Sequence, residues 1–271
     1  MNTKLFQGQI DQYRRDGVLV YRNFLSAREV DQLIIDVEQA ISRMGNAVVA
    51  DNKEFGMAPQ PGSDDYYANV FIQRVNLWKV SEPIKRIFLG AELGEMVSRL
   101  AGVDGMRVWH DQTLQKQPWA NPTAWHLDNP FWSFHSRQAI SIWIALDDAT
   151  IENGCMCYLP GTQETAEFGR TNVIGTDFGG LFKAYPEWKT RTPLVARMKR
   201  GDCGFHNGLT AHGAGPNMTP GYRRAMTCAY MPDGSTFNGV NKNILPADYF
   251  QTLKKGDVLN NDALNPLIWK K

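Results

Sequence analysis

From Gly105 onward, short runs of β-branched and aromatic residues alternate with turn residues, and this texture constrains the fold of the 271-residue chain more than any other feature. The pattern predicts strands over Met106 to Gln115, Thr123 to Asp128, Ala139 to Leu146, Cys155 to Leu159, Leu194 to Met198, Cys203 to His206 and Arg223 to Tyr230. Strands this short, separated by Gly, Pro, Asn and Asp, hide their apolar faces best in a sandwich or jelly roll. Asn153-Gly154 is read as a hairpin turn and Lys199-Arg200-Gly201-Asp202 as a second turn. Gln163 to Thr192 breaks the rhythm, with Gly175, Gly179-Gly180 and Pro186 among Phe178, Phe182, Tyr185 and Trp188, and is read as an insertion that walls a pocket or closes over it.

Before Gly105 the periodicity is helical. Leu5, Phe6, Ile10 and Tyr13 predict a helix over residues 4–15, and Asp16-Gly17 turns it into a strand over Val18 to Tyr21. Ser26 and Glu29 form a capping box, followed by an apolar stripe of Val30, Leu33, Ile34, Val37 and Ile41 as far as Met44. Residues 45–65 dissolve into Gly, Pro, Asp and Asn, a candidate lid. Phe71 to Trp78 reads as extended chain, and a helix from Pro83 to Leu100 is expected to break near Gly90. The expectation is one domain over 1–271, mainly β with flanking helices: helices 1–104 packed on a jelly-roll core 105–232, then a tail 233–271. The length suits a single large core.

Composition narrows the partners. The formal net charge is +1, without a basic block or stripe, so neither nucleic acid nor an anionic membrane surface is expected. A small molecule is the expected partner; the oligomeric state is left open. Cys155, Cys157, Cys203 and Cys228 contain no Cys-x-x-Cys pair and are read as reduced thiols, which together with the lack of a signal-like N-terminus or a membrane-length apolar run predicts a cytoplasmic protein. Asn217-Met218-Thr219 fits a glycosylation sequon, which matters only in a secretory setting.

The chemistry concentrates at His126-Leu127-Asp128. Side chains on a strand alternate faces, so the histidine and aspartate point together and offer a nitrogen and an oxygen to a divalent metal. One further histidine would complete the two-His-one-carboxylate set that leaves positions open on Fe(II). His212, flanked by Gly213 and Ala214 and returning late in the chain, fits best. His206 is read as packed or hydrogen-bonded, and His110 and His135 as structural or exposed. Arg223 opens an apolar strand, where a guanidinium needs an anion and a planar carboxylate suits its fork; pairing with a protein carboxylate or a surface position is the alternative. Phe131, Trp132, Tyr66 and Tyr67 are candidate substrate contacts, or core.

These pieces, taken in order, resemble the phytanoyl-CoA dioxygenase-like branch of the Fe(II)- and 2-oxoglutarate-dependent oxygenases. The resemblance runs through residues 13–20, Asn23-Phe24-Leu25-Ser26, Trp125-His126-Leu127-Asp128 and residues 142–148. It continues through Glu152-Asn153-Gly154-Cys155, Leu159-Pro160-Gly161, Gly201-Asp202, and His212, Asn217 and Arg223. It implies a double-stranded β-helix (cupin-like jelly roll), iron held by His126, Asp128 and His212, and 2-oxoglutarate anchored by Arg223 with Trp143 beside it and Gln112 as a further contact. Leu127 departs from the glutamine common between the first two ligands, and Thr162-Gln163 from a usual Ser-His; both are expected to alter contacts around the metal or substrate. The resemblance further implies O₂-dependent oxidation with release of succinate and CO₂. Relatives that halogenate lack the carboxylate ligand, so Asp128 implies hydroxylation or another oxidation such as desaturation. A small, largely apolar natural product is the expected substrate, with fatty-acyl or amino-acid derivatives as alternatives. A non-catalytic metal-binding jelly roll and a zinc hydrolase remain as rivals, the latter without the His-Glu-x-x-His spacing.

Overall fold

The computed structural model describes residues 1–50, 52, 66–172, 174–242 and 244–271. Of the candidate lid 45–65, residues 51 and 53–65 therefore lie outside the description, while its start docks on the sheet: Val75 N donates to Val48 O at 2.7 Å and Ala50 N to Val75 O at 3.0 Å.

The N-terminal third is helical for the reasons its sequence suggests. Helix α1 (Gln7–Asp16) buries Ile10 and Tyr13 and stops at Gly17, whose φ of 69° is left-handed. A Cβ at Gly17 would also meet the side chains of Gln163 and Thr210 at 2.3 Å, so glycine is required there twice over. Strand β1 (Val18–Tyr21) follows, then α2 (Ala27–Met44), capped by Ser26 and Glu29 as expected. Strand β2 (Ile72–Val75) precedes α3 (Glu82–Phe88) and α4 (Ala91–Ala101), which part at Gly90.

The remaining strands are β3 (Gly105–Lys116), β4 (Thr123–His126), β5 (Ile140–Ala145), β6 (Met156–Tyr158), β7 (Leu194–Ala196), β8 (Cys203–Asn207), β9 (His212–Ala214), β10 (Arg223–Pro232) and β11 (Leu267–Lys270). Among the described residues they form a major sheet in the order β1-β8-β5-β10-β3-β11, with β2 also on β3, and a minor sheet β4-β9-β6-β7. Two facing antiparallel sheets with these crossovers make the jelly roll. Alternation on the major sheet assigns its faces. Ile140, Ile142, Ile144, Met226, Cys228 and Tyr230 pack outward against Leu33, Val37, Ile84, Phe88 and Leu100 of the helices. Trp143, Ala145 and Ala225 point inward with Met156, Tyr158 and Ala214 of the minor sheet. Because both faces are covered, β5 is buried along its whole length.

Three expectations need correction. The predicted strand Thr123 to Asp128 ends at His126: Asp128 has helical dihedrals (φ −77°, ψ −49°) and starts the 3₁₀ turn Asn129–Phe131, in whose first turn Pro130 is at home. Asn153-Gly154 does turn the chain, with Thr150 N donating to Asn153 Oδ1 at 2.8 Å and Gly154 at φ 83°, but it makes no hairpin. Its flanking strands, β5 and β6, belong to different sheets, so tertiary pairing overrides the local signal. Residues 233–271 are more than a tail: β11 pairs with β3, and Phe237, Leu245, Phe250 and Leu259 form a core with Trp109, Trp132 and Phe134. The insertion 163–192 covers the outer face of the minor sheet, where Leu181, Tyr185 and Trp188 pack on Trp125 and Leu127.

Candidate active site

Strands β4 and β9 are neighbours, and their register sets His126 directly opposite His212. The ring centroids are 4.2 Å apart. Each imidazole is turned by a short local bond, His126 Nδ1 to Ala124 O at 2.8 Å and His212 Nδ1 to Thr210 O at 2.9 Å. A carbonyl only accepts, so both Nδ1 atoms carry the proton and both Nε2 lone pairs face inward, the arrangement that metal-binding histidines use. Asp128, brought in by the helical turn rather than by strand alternation, places Oδ1 3.6 Å from each Nε2. The donor atoms of the three residues lie within 4.8 Å of one another, close enough to share one ion.

The electrostatics agree. Burial pushes the His126 imidazole down, and burial together with the neighbouring His126 takes His212 to about 3, so both are neutral at pH 7. Burial alone would raise the Asp128 carboxyl, but the imidazoles of His212, His206 and His126 outweigh it and hold it well below the usual carboxylate range. Two neutral nitrogens and one carboxylate suit a divalent cation with oxygen-friendly open positions.

Further into the barrel lies Arg223, only 2% exposed. Its Nε and Nη1 have no partner among the described residues, and its Cζ sits 5.2 Å from the centre of the Trp143 ring. Burial lowers the guanidinium to about 10, which still leaves it charged at neutral pH. A buried charge without a counter-ion is costly, and an external carboxylate would satisfy it. Lys116, its cross-strand neighbour, is pushed to about 6 by burial and by Arg223, and donates to backbone carbonyls of Val70 and Asn121. Gln112, Thr227 and Trp143 occupy matching positions on β3, β10 and β5, so they share one rung between Arg223 and the histidines.

His126, Asp128, His212, Arg223, Gln112, Thr227 and Trp143 all line one cavity of about 240 Å³; Lys116 does not. Of the residues expected to meet substrate, Phe131 and Trp132 line it. Tyr66 does not: its hydroxyl donates to Pro122 O at 3.1 Å, which ties it down elsewhere. Tyr67 opens the 3₁₀ turn Tyr67–Asn69, and its side chain lies outside the described residues. His110, expected to be structural or exposed, is a cavity wall residue, as are Gln73, Ile174 and Lys242. Its place was readable, since His110 and Gln112 alternate on one face of β3. His135 stacks on Phe168 away from the site. His206, read as packed or hydrogen-bonded, is hydrogen-bonded, and its partner is one the sequence did not name: its Nε2 lies 3.1 Å from Asp128 Oδ2. Leu127 does not touch the site; it is fully buried on the opposite side with Trp125 and Trp188. Thr162 acts at one remove, accepting from Ala211 N at 2.9 Å, next to His212. Gln163 binds Arg15 O at 3.1 Å.

A jelly roll with two histidines and an aspartate around a common centre, opening on a cavity with a buried arginine, defines a class: the non-haem iron oxygenases that use 2-oxoglutarate. The sequence profile of the phytanoyl-CoA dioxygenase (PhyH) family matches residues 13–225, and the chain belongs to this family of Fe(II)- and 2-oxoglutarate-dependent oxygenases. A probable alpha-ketoglutarate-dependent hypophosphite dioxygenase of Stutzerimonas stutzeri is 24% identical over 230 residues, covering 83% of this chain and 78% of that one. The non-haem alpha-ketoglutarate-dependent carbocyclase SnoK from nogalamycin biosynthesis superposes with a TM-score of 0.78 at 24% identity, covering 98% of this chain and 97% of that one. The epimerase SnoN, in complex with Fe³⁺, alpha-ketoglutarate and nogalamycin RO, gives a TM-score of 0.74 at 22% identity over 97% of this chain and 98% of that one. Among the described residues, no helix is long and apolar enough to cross a membrane.

Proposed function

We propose that this protein hydroxylates an unactivated C–H bond of a small, largely apolar organic molecule, using O₂ and converting 2-oxoglutarate to succinate and CO₂, as a tailoring step in natural-product metabolism. One observation carries the reading: the His126, Asp128 and His212 donors and the Arg223 guanidinium, whose Nε and Nη1 have no partner among the described residues, face a single cavity. In this reading His126 and His212 hold iron through Nε2 and Asp128 through Oδ1. Bound iron with 2-oxoglutarate supplies the oxidising chemistry. Arg223 would hold the distal carboxylate of 2-oxoglutarate in its fork, with Trp143 beside it and Gln112 as a polar contact from β3. Phe131, Trp132 and Ile174 exclude water and seat the substrate, with His110 and Lys242 as its polar contacts.

The apolar walls favour an organic molecule over the hypophosphite named for the Stutzerimonas relative. The nogalamycin enzymes SnoK and SnoN, which align over nearly the whole chain, favour a natural product over an acyl or amino-acid derivative. The carboxylate ligand Asp128 favours hydroxylation over halogenation. Free thiols at Cys155, Cys157, Cys203 and Cys228 support action in the reducing cytoplasm. Succinate formation measured with Fe(II), 2-oxoglutarate and O₂ across a panel of polycyclic and aliphatic natural products tests the proposal. The expected result is 2-oxoglutarate turnover stimulated by one compound class, with a product heavier by one oxygen atom. Absence of succinate under all conditions, or a chlorinated product in the presence of chloride, would contradict it.

A further inference from the structure

Of the three proposed ligands, only Asp128 lies off a strand, and its two oxygens face different sheets. Oδ1 faces the minor sheet, 3.6 Å from His126 Nε2 and from His212 Nε2. Oδ2 faces the major sheet, 3.1 Å from His206 Nε2 and 3.2 Å from Ser141 Oγ. A carboxylate only accepts, so the imidazole N–H and the hydroxyl both donate to it, and His206 carries its proton on Nε2. Ser141 and His206 are direct cross-strand partners on β5 and β8. The alternation that turns Trp143 inward turns Ser141 inward as well, two positions away on β5. His206 is 3% exposed and its Nδ1 has no partner among the described residues, so the bond to Asp128 is the one side-chain hydrogen bond among them that orients a ring packed between Tyr158 and His212.

We infer that His206, assisted by Ser141, is a positioning residue that confines Asp128 to metal binding through one oxygen. With Oδ2 occupied by two donors from the opposite sheet, only Oδ1 is free for the ion. Without them the carboxylate turns about its Cβ–Cγ bond and offers both oxygens, taking a coordination position that 2-oxoglutarate needs. The same pair of bonds ties the minor-sheet site to the major sheet, so the site is clamped between the layers. This inference rests on the metal reading of His126, Asp128 and His212.

The test uses the apo protein with Co(II) as the probe. Calorimetric titration with Co(II), then with 2-oxoglutarate on the loaded protein, is compared for wild type, His206→Leu, His206→Gln and Ser141→Ala, each checked by thermal unfolding. His206→Leu should bind Co(II) and then 2-oxoglutarate about 10- to 100-fold more weakly, the usual consequence of losing a partner of a metal ligand. Its Co(II) visible absorption, which tracks coordination number, should change before 2-oxoglutarate is added. His206→Gln, whose side-chain amide reaches the same oxygen, should restore both affinities and the spectrum, and Ser141→Ala should shift them in the direction of His206→Leu by a smaller factor. Equal losses in the leucine and glutamine variants, or wild-type affinities in His206→Leu, would overturn the inference while leaving the metal site standing. Should His206→Leu not fold, wild-type behaviour in folded Ser141→Ala would overturn it instead. If wild type itself takes up no Co(II), the metal reading fails and this inference with it.

Discussion

The two ends of the cavity are built on opposite terms. At the metal end, each proposed ligand has its non-coordinating atom held by the protein: His126 Nδ1 by Ala124 O, His212 Nδ1 by Thr210 O, and Asp128 Oδ2 by His206 and Ser141. At the arginine end, a charged guanidinium is enclosed with two of its nitrogens unsatisfied among the described residues. The first end is finished except for an ion; the second is unfinished until an anion enters. Polar satisfaction thus separates groups oriented by the fold from groups reserved for a ligand.

The contrast breaks most severely at His212. His212→Ala should lower metal affinity by more than about 100-fold, beyond the loss expected for a supporting residue, and abolish succinate formation. Metal titration checks this, and near-normal affinity would remove His212 from the set. Arg223→Ala attacks the other end and should leave metal binding intact. It removes charge-assisted bonds worth about 1.5–3 kcal/mol each, so the 2-oxoglutarate concentration for half-maximal succinate formation should rise about 100-fold. The apo variant should melt no lower than wild type, because a buried charge with no ion-pair partner among the described residues has been removed. A lower melting temperature with an unchanged 2-oxoglutarate requirement would mean that Arg223 is structural.

At the metal end, His110, which shares a rung with Ser141 and His206, sharpens the comparison through pH. Burial takes its imidazole down to about 4, against about 6.5 in an unfolded chain. The unfolded state therefore binds more protons between these values, and the stability present at neutral pH is lost as pH falls from about 6.5 to about 4. Relative to His110→Gln, wild type should lose on the order of 2 kcal/mol of unfolding free energy between pH 7 and pH 4, read by urea denaturation. A constant difference would mean that the imidazole is solvated. The smallest effect is expected at Thr162, whose hydroxyl accepts from Ala211 N. Thr162→Val should cost about 1–2 kcal/mol, the penalty for a buried N–H left without its acceptor, with a few-fold loss of metal affinity through β9. No change in either would show that the strut is redundant.

Much of this was legible because it depends on local rules. The Ser26 cap, the break at Gly90 and the alternating faces of β3, β5 and β10 all follow from spacing. So did the gathering of His126, Asp128 and His212, although the reason offered for Asp128 was wrong: a helical turn, not strand alternation, brings it to the histidines. What escaped depends on register between distant strands. No local pattern says that Ser141 faces His206, or that Asn153-Gly154 joins two sheets. Leu127 is buried on the side opposite the ligands, where alternation from His126 places it, and not at the metal or substrate contacts that its departure from the family's glutamine implied. β9, three residues between glycine and alanine, carries too little pattern to be recognised as a strand.

The most direct measurement is the absorption spectrum of the anaerobic protein with Fe(II) and 2-oxoglutarate. A metal-to-ligand charge-transfer band is expected in wild type. That band should be absent in His212→Ala, and in Arg223→Ala it should be recovered only at much higher 2-oxoglutarate concentration. A band that persists unchanged in His212→Ala, or none at all in iron-loaded wild type, would contradict the assignment of the two ends.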